Sequence, residues 1–300
     1  MCIRDRGNYA KLTSLLEVIG QITTITAGAG ATLLLEGARD GHMSILGYDL
    51  YLGINVEAWK IQEIILLDGF TYFIAFTIIS FITYVPLSRR SKEIGSVLVR
   101  IKTGLKYLNE NRPILWFGIL SYMVFTMVLM EMFYMGVNYV SNHLQESGDV
   151  YANAKIAYSI GAILIGVTIS FIVKKVSLPA AVLFLTFLMT GIYFCLAFSQ
   201  SVLIFFGMML LIGIANAGCR VARITYLFKN VPNQFFGRAG SVFFQFHIII
   251  RVVLLLLFTM PYFQESNNIV DAYKIMGSIL LLTSLLLMYK YKSFDRSMGS

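Results

Sequence analysis

Eight apolar stretches recur along this 300-residue chain, each near the length of a membrane crossing: Leu12–Leu35, Ile64–Val85, Ile114–Val140, Ile156–Val173, Val176–Phe198, Val202–Leu227, Ser241–Met260 and Ile269–Met288. A bilayer core takes about 20 residues as a helix. A backbone in lipid must satisfy its own hydrogen bonds, which leaves helices or closed barrels. Barrel strands run to ~10 residues of alternating polarity, and these stretches are longer and do not alternate. The expectation is therefore an all-α membrane protein with about eight transmembrane helices. Composition agrees: 57% of residues are hydrophobic and 13% charged, against roughly 25% charged in soluble domains. A soluble globule of this size cannot bury so much apolar surface. The first stretch is the most polar, with Thr13, Ser14, Glu17, Gln21, Thr23, Thr24 and Thr26.

The connections alternate in charge. One side receives Arg4, Arg6 and Lys11; Arg89, Arg90, Lys92, Arg100, Lys102, Lys106 and Arg112; Lys174 and Lys175; Arg220, Arg223, Lys229 and Arg238; and Lys290, Lys292 and Arg296. The other receives Arg39, Lys60, Lys155 and Lys274, with most of the acids, among them Glu36, Asp49, Glu146, Asp149, Glu265 and Asp271. The lysine and arginine excess marks the first side as cytoplasmic. The expected location is thus the cytoplasmic (inner) membrane, multi-pass, with both termini cytoplasmic. The net charge of +8 then reflects topology and contact with membrane lipid rather than nucleic acid. Between Pro86 and Arg112 the run Ile94–Leu105 mixes apolar and basic positions at helical spacing, which predicts an amphipathic helix on the membrane surface.

No enzyme constellation stands out. Cys2, Cys195 and Cys219 form no metal-ligand pattern, and His42, His143 and His247 are far apart in sequence. No P-loop is present. No cofactor, metal or catalytic residue is expected.

Particular segments resemble the major facilitator superfamily of transporters. Asn8 to Gly30, with Asn8, Gln21, Gly28 and Gly30, resembles the family's fifth helix, and Leu67-Asp68-Gly69-Phe70-Thr71-Tyr72-Phe73 the opening of its sixth. Gly104-Leu105-Lys106-Tyr107-Leu108 and Asn111-Arg112-Pro113 are similar to the run into its seventh. Val231 to Ser241 resembles the loop between the tenth and eleventh helices of macrolide-efflux and siderophore-exporter-like members. The loop Val173–Pro179 has no acid, where the family's Asp-Arg-Gly-rich signature would recur. The resemblance implies a C-terminal fragment of such a transporter, carrying helices five to twelve. It divides the chain into 1–7, a non-native start similar to a translated adapter; 8–88, the last two helices of the N-terminal half; 89–112, a basic linker; 113–292, the six-helix C-terminal half; and 293–300, a cytoplasmic tail. Two helices without their own bundle partners are expected to expose a polar face at Glu17, Gln21 and Thr24.

Ionisable groups inside spans cost about 2.5–3.5 kcal/mol on insertion scales and are functional candidates by default. Glu131, Arg251 and Glu17 are the proton-coupling or cavity candidates. Helix rise separates Glu131 from Arg251 in depth, so a direct pair would need tilt, reach or water. Asn138, Asn216, Gln245 and Tyr134 are candidates for a substrate cavity; hydrogen bonding between helices is the competing role. Arg220, Arg223 and Arg238 gather at one cytoplasmic connection, as topology determinants or as a gate pairing with acids of the other half. Gly213, Ala215, Ala217 and Gly218 form a small-residue patch suited to close helix packing. The expected function is secondary transport by alternating access, a proton-coupled efflux of a small lipophilic or amphipathic molecule. The alternative is a non-transporting membrane receptor or scaffold. The sequence leaves substrate, direction, coupling ion and oligomeric state open.

Overall fold

The computed structural model describes residues 9–38, 41–45, 48–51, 53–83, 97–146 and 148–296. The expected non-native start at 1–7, the front of the linker at 89–96 with Arg89, Arg90 and Lys92, and residues 297–300 of the tail lie outside them. Among the described residues, seven helices are long and apolar enough to cross a membrane. The first expected span does form a helix, α1 (Tyr9–Glu36). The chain divides into two parts, residues 23–95 and residues 1–22 with 96–300.

The smaller part holds the second half of α1, a hairpin and α2 (Ile61–Ser80). The hairpin, β1 (His42–Ile45) and β2 (Tyr48–Tyr51), is antiparallel with His42 opposite Tyr51 and Ile45 opposite Tyr48. An all-helical reading missed it. Gly37 ends α1 with a φ of 75°, and a Cβ there would lie 2.6 Å from the Val56 carbonyl oxygen, so the turn demands glycine. Glu63 accepts the Lys60 amide at 2.8 Å and caps α2. No residue of α2 is buried, and Phe70, Phe73 and Phe76 are all exposed. A helix apolar on every side is matched by lipid.

The larger part is a six-span bundle preceded by α3 (Val97–Glu110). The first span starts as α4 (Arg112–Met130). It continues through a π-helical turn at Glu131–Met135, the short α5 (Gly136–Asn138) and a second π turn at Tyr139–Leu144. Gln145, left-handed at φ 56°, stops it. The others are α6 (Gly148–Lys175), α7 (Leu178–Phe198), α8 (Val202–Asn230), α9 (Asn233–Phe258) and, after the short α10 (Pro261–Gln264), α11 (Ile269–Arg296).

Contacts at the two ends show the helices alternating in direction. At one end Ser177 hydrogen-bonds Tyr291 at 2.9 Å, and Lys290 sits 5.0 Å from the Trp116 ring. At the other, the Tyr139 hydroxyl lies 2.9 and 2.8 Å from the Leu196 and Ser199 carbonyls, and Tyr134 donates to Phe258 at 3.0 Å. The first end carries Arg112, Lys174, Lys175, Lys229, Lys290 and Lys292; the second carries Glu146, Glu265 and Asp271.

Glycine sets the closest approach. A Cβ on Gly161 of α6 would collide with the Leu210 carbonyl of α8, and one on Gly213 of α8 with the Tyr158 carbonyl of α6. These reciprocal contacts bring two backbones together, the geometry small residues permit. Gly218, in the same patch, leaves room for Leu185 of α7.

Two local expectations are corrected. The stretch from Val231 to Ser241 is not a loop: α9 begins at Asn233, leaving Val231 and Pro232 as the break, and Pro232 is tolerated because it precedes the helix. The linker helix does form, but it runs on to Glu110, past the expected end at Leu105, and its Leu108 is fully buried. Its Tyr107 stacks on Phe235 of α9 at 4.4 Å, and burial raises the pKa of the Tyr107 hydroxyl.

Candidate functional site

Three clusters of polar side chains occupy the apolar interior of the larger part. The first surrounds Glu131, which has no exposed surface. The Tyr273 hydroxyl of α11 donates to Glu131 Oε2 at 2.7 Å, while Oε1 has no hydrogen-bond partner among the described residues. Tyr151 of α6 donates to the Met132 carbonyl at 2.7 Å, next to the Glu131 carbonyl at 3.2 Å. The Tyr139 and Tyr193 rings lie 4.7 and 5.8 Å from the Tyr273 ring. Glu131 opens the π turn, whose widened backbone frees carbonyls for such side-chain donors. A Cβ on Gly136 would collide with Tyr151 and approach Glu131 Oε1 at 2.9 Å, so this glycine is part of the pocket wall.

Arg251 does not join this cluster. It is half-buried on α9 and has neither a hydrogen bond nor an ion pair among the described residues. Among the described residues no cation pairs with Glu131.

The second cluster joins α1 to α8. Glu17 and Arg220 form an ion pair, and Gln21 donates to Glu17 Oε1 at 2.9 Å. Glu17 is 5% exposed, so its expected exposure is corrected. Ser14, Glu17 and Gln21 make one helical stripe facing inward, while Leu15, Leu16, Ile19 and Ile22 are all more than half exposed. Apolar side chains outward and polar ones inward reverse the pattern of a helix at a soluble protein's surface. Gln21 is half-buried and Thr24 exposed. Near this pair the Asn216 amide of α8 donates to the Tyr158 hydroxyl of α6 at 2.7 Å.

The third cluster centres on Arg223, 3% exposed. Its guanidinium lies 3.9 Å from the Tyr122 ring centre and donates from Nη1 to the Ser121 carbonyl at 3.0 Å; Nε is buried without a partner. His247 of α9, 1% exposed, is stacked 5.8 Å from the same tyrosine and lies 3.3 Å from Thr126 Oγ1. Arg220, Arg223 and Arg238 therefore do not share a loop. The first two sit inside α8, and Arg238 stands half-buried on the first turns of α9, 5.7 Å from the Phe235 ring. Helical hydrogen bonding simply continues past the arginines, whose charge is met by Glu17 and by Tyr122.

The remaining candidates are dispersed. Tyr134 accepts from Gln264 at 3.3 Å, Asn138 is half-buried, and Gln245 is exposed on α9. Outside the spans, Tyr262 donates to Asp271 at 2.7 Å, which holds the phenol proton more tightly than usual. Among the described residues no three His, Cys, Asp or Glu side chains assemble to hold a metal ion.

Tyr273, Tyr151, Tyr122 and His247 were not recognised in the sequence. Tyr273 lies 142 positions from Glu131, and no local pattern announces that distance. Compared with known proteins, the chain matches no family model, no curated protein and no solved structure.

Proposed function

We propose that the intact protein is a secondary transporter of the major facilitator type, moving a small lipophilic or amphipathic molecule by alternating access coupled to protons. The single observation that carries this reading is Glu131, a carboxyl buried in a membrane helix with one tyrosine donor and, among the described residues, no cation paired with it. A bare charge there is costly, and a structural role would leave it paired. In this reading Glu131 is neutral while enclosed and gives up its proton when the cycle opens a path to water. The π turn supports this, since such turns concentrate at functional sites and adjust by local rewinding.

The Glu17–Arg220 pair serves as the gate that closes one side. It links α1 to α8, so parting those helices would break it. The basic end of the bundle is the cytoplasmic one, by its lysines and arginines.

The test is transport by intact protein in proteoliposomes, using a panel of lipophilic cations and amphiphiles, with Glu131→Gln. Gradient-driven transport is expected to fall at least tenfold while substrate exchange without a gradient persists. Undiminished gradient-driven transport would leave Glu131 as a structural residue.

A further inference from the structure

A cavity of about 460 Å³ opens where the start of α1 meets the ends of α6 and α8. That volume lies within the range of small-ligand clefts, about 300–1,000 Å³. Its rim carries Lys11, Lys174 and Lys229, one from each helix, and none of the three pairs with an acid among the described residues. Thr225 also lines it; the residue is 2% exposed and its Oγ1 is buried without a hydrogen-bond partner among the described residues. The rest of the lining is largely apolar, and Leu15 and Phe171 extend it onto the exposed flank of the bundle, at 55% and 65% exposure.

We propose that this cavity is a binding site for an acidic phospholipid, its phosphate held by Lys11, Lys174, Lys229 and Thr225 and an acyl chain laid along Leu15 and Phe171. Three ammonium groups with no acid partner among the described residues, one from each of three helices, supply the charge, Lys174 lying 5.8 Å from the Phe171 ring, and Thr225 supplies a hydroxyl donor lacking an acceptor among the described residues. A free phosphate would use the lysines but leave the apolar wall in contact with water. A neutral lipid would cover the wall and leave the lysines uncompensated. The occupant satisfying both is an anion with a hydrocarbon tail. Bound there, it bridges α1 to α6 and α8 beside the Glu17–Arg220 pair. Assigning it to the inner leaflet rests on the orientation proposed above; the site itself does not.

The experiment is native mass spectrometry of the intact detergent-purified protein with dioleoyl phosphatidylglycerol, dioleoyl phosphatidylcholine or inorganic phosphate. One phosphatidylglycerol is expected to be retained at least about tenfold more tightly than phosphatidylcholine. The preference should vanish in Lys11→Gln/Lys174→Gln/Lys229→Gln and persist in Lys290→Gln/Lys292→Gln. Ser170→Trp, which fills the cavity and keeps the lysines, should also weaken retention. Equal retention of the two lipids, an unaffected triple variant, or displacement of phosphatidylglycerol by equimolar inorganic phosphate would overturn the proposal. Because binding is read in detergent, an inverted membrane orientation would leave these outcomes unchanged.

Discussion

A carboxylate and a guanidinium inside a helix bundle each make the other tolerable, and removing either leaves the survivor exposed to the full cost of a low-dielectric site. Glu17 is nearly inaccessible, whereas the Arg220 side chain retains about a third of its surface (34%). The asymmetry predicts asymmetric variants. Arg220→Ala strands a buried carboxylate and should destabilise more than Glu17→Ala, whose orphaned arginine is the less enclosed of the two. A double-mutant cycle by thermal unfolding in detergent should give a coupling of about 1 kcal/mol, discounted for the exposure of Arg220. Zero coupling would mean the contact is not energetically a pair. Arg223 is the contrasting case, an arginine whose charge is met by an aromatic face and one carbonyl.

At the scale of elements, glycine decides how near α6 and α8 come. Gly161 and Gly213 each face a carbonyl of the opposing helix with no space for a side chain. Gly161→Leu or Gly213→Leu should therefore force the helices apart and cost about 1–3 kcal/mol or more. The same substitution at Gly207, which meets nothing, should be nearly neutral in melting temperature. Equal effects at Gly207 and Gly213 would contradict the packing. Much of this level was legible in the sequence. Apolar runs gave the helices of the bundle, and the small residues around Gly213 pointed to a tight contact. Other features were not. The hairpin at His42–Tyr51 is too short to show a strand period, and the π turns after Met130 leave no mark in composition. α1 misled because its polar stripe was assigned outward, whereas its partner, Arg220, lies 203 positions away. Glu131 was legible as an isolated acid in an apolar run; its tyrosine surroundings come from helices assembled only in three dimensions.

At the scale of the whole molecule, the bundle separates charge by end, and Glu17, Glu131 and the arginines of α8 lie on three different helices. In the transport reading, Glu131 exchanges the proton while Glu17 and Arg220 hold one side shut, so the cycle requires α1 to move from α8. The most direct measurement fixes that contact covalently. In intact protein lacking Cys2, Cys195 and Cys219, Glu17→Cys/Arg220→Cys would be cross-linked with a short thiol-cleavable reagent and assayed in proteoliposomes. Each single-cysteine variant, treated identically, controls for loss of the ion pair itself. The account predicts that cross-linking abolishes the transport remaining in the double variant and that reduction restores it. Transport at an unchanged rate through fully cross-linked protein would contradict it.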